Sequence, residues 1–81
     1  YKNEKNLKYL AETIRRESKS ETTTSQEISK AMHPKTDKAV RNAMRILKDK
    51  GLIDYESNTS PQVYSSTLLG KYIHRIFNNQ E

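Results

Sequence analysis

The sequence predicts a small α+β domain that is mainly helical: a three-helix core, a two-stranded hairpin and a C-terminal helix. Three observations support this prediction. Apolar residues recur at helical spacing in four separate segments, Pro34 and Gly51 fall between segments, and a polar, turn-rich stretch separates two short runs of strand-forming residues. With 81 residues, the chain is long enough for one small domain and too short for two, so we expect residues 1–81 to form a single domain.

The first predicted helix covers about residues 4–17. Its apolar residues recur every three or four positions, with charged residues between them: Leu7, Leu10, Ala11 and Ile14. The following segment, to about residue 25, is polar and rich in Thr, so we expect a loop with a short strand at 21–23.

The second predicted helix, about residues 25–32, begins at a capping box. Thr24 is followed three residues later by Glu27, so the threonine oxygen can accept a hydrogen bond from the Glu27 backbone N–H while the carboxylate reaches back. The helix must end before Pro34, because the residue that precedes a proline is disfavoured in helical conformation.

The third predicted helix covers about residues 37–50. Thr36 or Asp37 is expected to cap its start, and Gly51 supplies the left-handed residue that ends it. Strands are predicted at 52–56 and 63–65, joined by a polar tip of turn-forming residues, which gives a hairpin over about residues 52–65. The last predicted helix, about residues 66–78, carries five apolar residues at helical spacing: Leu69, Tyr72, Ile73, Ile76 and Phe77.

A short helix, a turn and a longer helix followed at once by a hairpin define a winged helix-turn-helix. The segment TTSQEISKAMHPKTDKAVRNAMRILKDKGLIDYE, residues 23–56, carries this resemblance, and its end, RILKDKGLIDYE, resembles a recognition helix running into the first wing strand of winged-helix regulators. The segment VYSSTLLGKYIHRI, residues 63–76, is similar to the strand-to-helix passage of MarR- and PadR-type repressors. The resemblance implies a transcriptional regulator that binds DNA, although it identifies no subfamily.

Positive charge is concentrated in the third predicted helix. The chain carries 15 Lys and Arg against 10 Asp and Glu, a formal net charge of +5, and residues 35–50 alone hold six cations and two anions, or +4. At about 100° per residue, four of these cations share one stripe on the side away from the apolar residues: Lys38, Arg41, Arg45 and Lys48. Because an ordinary solvated face mixes both signs of charge, this asymmetry favours a polyanionic partner.

These residue types suit double-stranded DNA. A helix fits the major groove, where Arg can pair with guanine and Asn with adenine, while Lys and hydroxyl groups suit phosphates. We expect base contacts from Lys35, Thr36, Arg41, Asn42 and Arg45. We expect phosphate contacts from Thr24, Ser25, Gln26, Lys38 and Lys48.

The apolar stripe of the last helix is wider than one small domain needs to cover. Core packing is the default role for Leu69, Ile73 and Ile76, yet the full stripe resembles the terminal helices through which winged-helix repressors dimerise. We therefore expect a homodimer whose interface includes Leu69, Tyr72, Ile73, Ile76 and Phe77. A twofold dimer would place two recognition helices about 34–36 Å apart, one turn of DNA.

Other classes of function find little support in the sequence. The chain has no Cys, His33 and His74 lack ligand spacing, and neither a Gly-rich phosphate loop nor a nucleophile–base pair is evident, so we expect no metal, no cofactor and no enzymatic activity. The absence of a long apolar run predicts no membrane span, and the absence of Cys favours a reducing, cytoplasmic setting, which for a DNA-binding protein is nucleoid-associated. Because the chain starts at Tyr1 rather than Met, we expect it to be part of a longer polypeptide, and a further domain or protein partner stays open.

Two alternatives to a transcriptional repressor stay open. The same fold can serve as the DNA-binding module of a replication, plasmid-partition or recombination protein. It can also serve as a protein–protein adaptor, which is favoured by the lack of cations at the hairpin tip, residues 56–62, and by the wide apolar stripe of the last helix.

Overall fold

The computed structural model describes residues 5–32, 36–56, 58 and 61–78. Within these residues the chain is a small α+β domain with four helices and a two-stranded antiparallel sheet. In chain order the elements are α1 (Leu7–Ser18), α2 (Ser25–Ala31), α3 (Asp37–Asp49), β1 (Ile53–Asp54), β2 (Ser65–Ser66) and α4 (Leu68–Asn78).

The four predicted helices are confirmed, with shifted ends. Residue 4, the predicted start of the first helix, lies outside the described residues, and α1 begins at Leu7. The predicted start of α4 at residue 66 is wrong, because Ser66 pairs within the sheet. Thr67 caps α4 instead: its Oγ1 accepts a hydrogen bond from the Gly70 N–H at 2.9 Å and donates one to the Gly51 carbonyl at 2.6 Å.

One of the two hydrogen bonds of the predicted capping box at α2 forms. The Glu27 backbone N–H donates to Thr24 Oγ1 at 3.3 Å, which confirms the threonine cap. The Glu27 carboxylate lies instead 3.4 Å from Arg16 Nη2 in α1. The acidic residue of the box therefore links α2 to α1.

Both predicted boundaries of α3 are confirmed. The Ala39 N–H donates to Thr36 Oγ1 at 3.1 Å, so Thr36 is the cap. Gly51 has a φ of +78°, and the N–H groups of Gly51 and Leu52 each donate at 2.9 Å, to the carbonyls of Lys48 and Leu47. This pair of bonds is a Schellman motif, and it directs the chain straight into β1.

The hairpin is shorter than predicted. Among its described residues, only Ile53 and Asp54 pair, with Ser66 and Ser65, whereas strands were predicted over 52–56 and 63–65. The first strand stops because the Tyr55 N–H bonds to the Asp54 carboxylate at 2.9 Å rather than to the opposite strand. Val63 forms an antiparallel bridge with Thr24 rather than a pair within the hairpin, so the short strand predicted at 21–23 is reduced to one bridge just beyond it.

A single hydrophobic core joins these elements. Every helix and the hairpin contribute to it: Tyr9, Leu10, Ile28, Val40, Ala43, Met44, Leu47, Leu52, Ile53, Tyr64 and Ile73. Within the described part of the chain, no helix is both long enough and apolar enough to cross a membrane.

Candidate nucleic-acid interface

The α3 helix has one buried side and one basic, exposed side. Val40, Ala43, Met44 and Leu47 are buried against the core. The side chains on the opposite face are exposed, and they belong to four residues predicted to contact DNA: Lys38, Arg41, Asn42 and Arg45. The helix therefore presents a largely polar surface on the side opposite the core.

The cations of this surface differ in their ion pairing. Within the described residues, neither Lys38 nor Arg45 forms an ion pair, whereas Arg41 Nη1 lies 2.8 Å from Asp37 Oδ2, one helical turn earlier. On α1, by contrast, Arg15 pairs with Glu12, and Arg16 pairs with Glu21 and Glu27. Positive charge on α3 is thus less neutralised than positive charge on α1.

Of the two predicted base contacts near the start of α3, the structure describes one. Lys35 lies outside the described residues. Thr36 is exposed, and its Oγ1 accepts the capping bond from Ala39. A hydroxyl that accepts one hydrogen bond still has its own proton to donate, so capping leaves Thr36 able to contact an acceptor outside the domain.

The predicted phosphate contacts at α2 need one correction. Thr24 is buried and its oxygen caps the helix, so we reassign it from a phosphate contact to a structural cap. Ser25 is half-buried and its hydroxyl lies within hydrogen-bond reach of Tyr64, whereas Gln26 is exposed. Gln26 is therefore the most accessible of the three residues.

Lys48, a predicted phosphate contact, also makes contacts within the domain. Its Nζ donates to the Tyr55 carbonyl at 2.8 Å, lies 4.3 Å from the centre of the Tyr55 ring and is 3.8 Å from Asp54 Oδ1. These three contacts hold the lysine against the root of the hairpin. Lys48 therefore helps to position the hairpin on α3, and its contact with phosphate stays a prediction.

A polar groove of about 350 Å³ lies where α2, α3 and the hairpin meet. Its lining includes Ser25, Asp37, Arg41 and Tyr64. Burial raises the pKa of the Tyr64 hydroxyl above its ordinary value, the neighbouring Tyr55 raises it further, and the hydrogen bond with Ser25 opposes both. This groove leaves no signal in the sequence, because its residues come from three separate segments.

The two hairpin tyrosines connect the ends of this surface. The Tyr55 and Tyr64 rings pack edge to face, with centroids 5.3 Å apart and planes at 83°. Tyr55 holds Lys48 near the end of α3, and Tyr64 lines the groove beside Arg41 near its start. The hairpin therefore contacts α3 through Tyr55 and Lys48, and it shares a groove with Asp37 and Arg41 through Tyr64.

The predicted dimer surface on α4 divides into a buried and an exposed part. Ile73 is 6% exposed and belongs to the core, so its place in the predicted interface is corrected. Ile76 and Phe77 are half-buried, and Phe77 packs against the core. The exposed apolar patch comprises Leu68, Leu69 and Tyr72, which are 86%, 40% and 61% exposed. Leu68 was not among the predicted interface residues.

The histidines supply no metal site that the structure describes. His33 lies outside the described residues, and His74 lines an apolar groove of about 310 Å³ between α1 and α4 with Leu7 and Phe77. Among the residues with described positions, no group of three or more His, Cys, Asp or Glu is placed to hold a metal ion.

Comparisons with known proteins give no match from which a function could be proposed. No family model matches the chain, and neither the curated proteins nor the solved structures gave a significant match.

Proposed function

We propose that this chain is a winged helix-turn-helix domain that binds double-stranded DNA in a sequence-specific manner. In this assignment α2 and α3 form the helix-turn-helix, and the hairpin that follows α3 is the wing. The observation that carries the proposal is the face of α3, where Lys38 and Arg45 are exposed and have no anionic partner among the described residues. Such a face favours a partner that carries regularly spaced negative charge.

In the proposed mechanism α3 lies in the major groove. Arg41 and Arg45 each donate two hydrogen bonds to a guanine, and Asn42 pairs with an adenine. Lys38 and Gln26 contact phosphates on either side and fix the register of the helix without reading sequence. Thr36 and its sequence neighbour Lys35 contact bases where the helix begins.

We further propose that the functional unit is a homodimer that acts as a transcriptional repressor, with no cofactor. The patch of Leu68, Leu69 and Tyr72 supports this, because exposed large apolar side chains that adjoin one another are typical of contact surfaces. A second copy on this patch gives the twofold symmetry that two half-sites about one DNA turn apart require. A cytoplasmic, nucleoid-associated location follows from this role.

Two other functions use the same features. A replication, plasmid-partition or recombination module would use the same α3 face and differ in its partners. A protein–protein adaptor is favoured specifically by the exposure of Leu68 and Tyr72, and it requires no DNA binding.

Selection of binding sites from a random duplex library, together with light scattering, tests the proposal. We expect an enriched motif with twofold symmetry and the mass of a dimer. On that motif, Arg45→Ala should cost about 1–3 kcal/mol and relax preference at one base pair, whereas Lys38→Ala should weaken all duplexes alike. A monomer that enriches no motif would contradict the repressor assignment, and a dimer without duplex binding would favour the adaptor.

A further inference from the structure

We infer that Asp37 is a specificity-determining residue of the proposed DNA interface: it holds Arg41 in place and weakens binding to DNA that lacks the matching base. The inference rests on the proposed function and names a residue that reads no base itself. Three observations support the inference. Asp37 lies close to Arg41, its second carboxylate oxygen lacks a hydrogen-bond partner among the described residues, and its negative charge lies on an otherwise basic face.

Asp37 Oδ2 lies 2.8 Å from Arg41 Nη1, and the two residues are one helical turn apart. The Arg41 side chain is still 56% exposed, and a guanidinium has five N–H donors, so a single carboxylate leaves the outer donors available. Holding the side chain before DNA arrives reduces the conformational entropy that Arg41 loses on binding a guanine.

The two oxygens of the Asp37 carboxylate differ in their surroundings. Asp37 Oδ1 is buried and has no hydrogen-bond partner among the residues that the structure describes. Because an unsatisfied buried oxygen opposes folding, hydrogen bonding among the described residues does not fully account for a carboxylate here. Asp37 lies in the first turn of α3, where the helix dipole favours negative charge. The dipole explains why a carboxylate is tolerated at this position, but it does not explain what the carboxylate does.

The negative charge of Asp37 also affects binding to DNA. Binding to random DNA depends on phosphates, and a carboxylate on the approaching face repels them within the Debye length of about 8 Å at physiological salt. The Asp37–Arg41 pair is neutral as a unit, so it adds little to attraction by the phosphate backbone. Contact between Arg41 and a guanine edge is a directed pair of hydrogen bonds, so a matched duplex regains what the repulsion costs.

The test compares dissociation constants for a selected duplex and a random duplex. Asp37→Asn should tighten binding to the random duplex and leave the selected duplex unchanged or weaker, so that the ratio of the two constants falls about three- to tenfold. Asp49→Asn makes the same charge change at the other end of α3 and should affect both duplexes alike. Asp37→Glu keeps the charge and should keep the ratio within about twofold of wild type.

Each outcome decides the matter. If Asp37→Asn and Asp49→Asn change both duplexes equally, the inference is overturned while the proposed function stands. If the wild type binds no duplex, the proposed function fails and the inference with it. Circular dichroism checks folding, and Asp37→Ser, which also removes the charge and suits a helix start, replaces Asp37→Asn if that variant does not fold. In an Arg41→Ala background, Asp37→Asn should no longer change the ratio of the two dissociation constants, because Asp37 acts through Arg41.

Discussion

Gly70 in α4 lies directly against the carbonyl oxygen of Leu52: a Cβ atom on residue 70 would sit 2.0 Å from that oxygen. The same atom would lie 3.2 Å from Cδ1 of Leu10 in α1. The Leu52 carbonyl is itself fixed, because it accepts a hydrogen bond from the Thr67 N–H at 3.2 Å. Only glycine therefore allows α4 to cross so close to the junction between α3 and the hairpin.

Gly70→Ala should destabilise the domain. In an exposed helix this change stabilises by up to about 1 kcal/mol, but here backbone must move, and we expect a loss of about 3 kcal/mol in the free energy of unfolding. Urea denaturation measures the change. Lys71→Ala, at the exposed neighbouring position, is the control and should stay within about 0.5 kcal/mol of wild type. A Gly70→Ala variant as stable as wild type would show that α4 does not pack as described.

Lys48→Met should lower stability, although the predicted role of Lys48 was on DNA. Methionine keeps an apolar stem beside the Tyr55 ring but loses the charged hydrogen bond to the Tyr55 carbonyl and the cation–π contact. We expect a loss of about 1–2 kcal/mol in the free energy of unfolding, measured by urea denaturation. Lys38→Met on the exposed face of the same helix should cost less than about 0.5 kcal/mol. Equal stability of the two variants would return Lys48 to the set of free surface cations.

Stability should fall as the pH rises above about 10, and Tyr64 should contribute to the fall. Burial raises the pKa of Tyr64 in the folded chain above the ordinary value of 10.0, so the unfolded chain releases this proton first. The contribution of Tyr64 is therefore complete below pH 10 and is lost as the pH rises through its folded pKa.

Urea denaturation from pH 8 to 11 checks this dependence. Tyr64→Phe should show a shallower loss of stability with pH than wild type, because it has no proton to release. Tyr72→Phe makes the same chemical change on the exposed face of α4 and is expected to follow wild type. Identical pH dependence in all three proteins would rule out a buried Tyr64 hydroxyl.

Sequence patterns were sufficient for the four helices and for the predicted caps at α2 and α3. Thr24, Thr36 and Gly51 each take part in a bond with a residue three positions away, and such local chemistry can be read from spacing alone. The strand lengths were not predictable in the same way. The first strand stops where the Asp54 carboxylate takes the Tyr55 N–H, and a turn-forming side chain that competes with a ladder bond leaves no signal in hydrophobic patterning.

The candidate site was predictable only in part, for a related reason. Helical periodicity placed Lys38, Asn42 and Arg45 on the exposed face of α3, because the periodicity of one helix depends on that helix alone. Lys48 lies on the same stripe, but its contacts come from the hairpin. The burial of Ile73 and the exposure of Leu68 likewise depend on how α4 crosses the core at Gly70. Contacts between segments that are distant in the sequence therefore account for each of these differences, whereas the change for Thr24 depends on its own helix.

The salt dependence of duplex binding tests the central claim most directly. If α3 is the DNA-binding element, the logarithm of the wild-type association constant should fall linearly with the logarithm of salt concentration, with a slope of about 0.9 per phosphate contact. Lys38→Ala/Arg45→Ala on α3 should lower that slope by about 1–2 and weaken binding at least about tenfold. Lys5→Ala/Lys19→Ala, which removes the same charge around α1, should do much less. Absence of binding at low salt, or equal losses in the two double variants, would contradict the assignment of α3 as the DNA-binding surface.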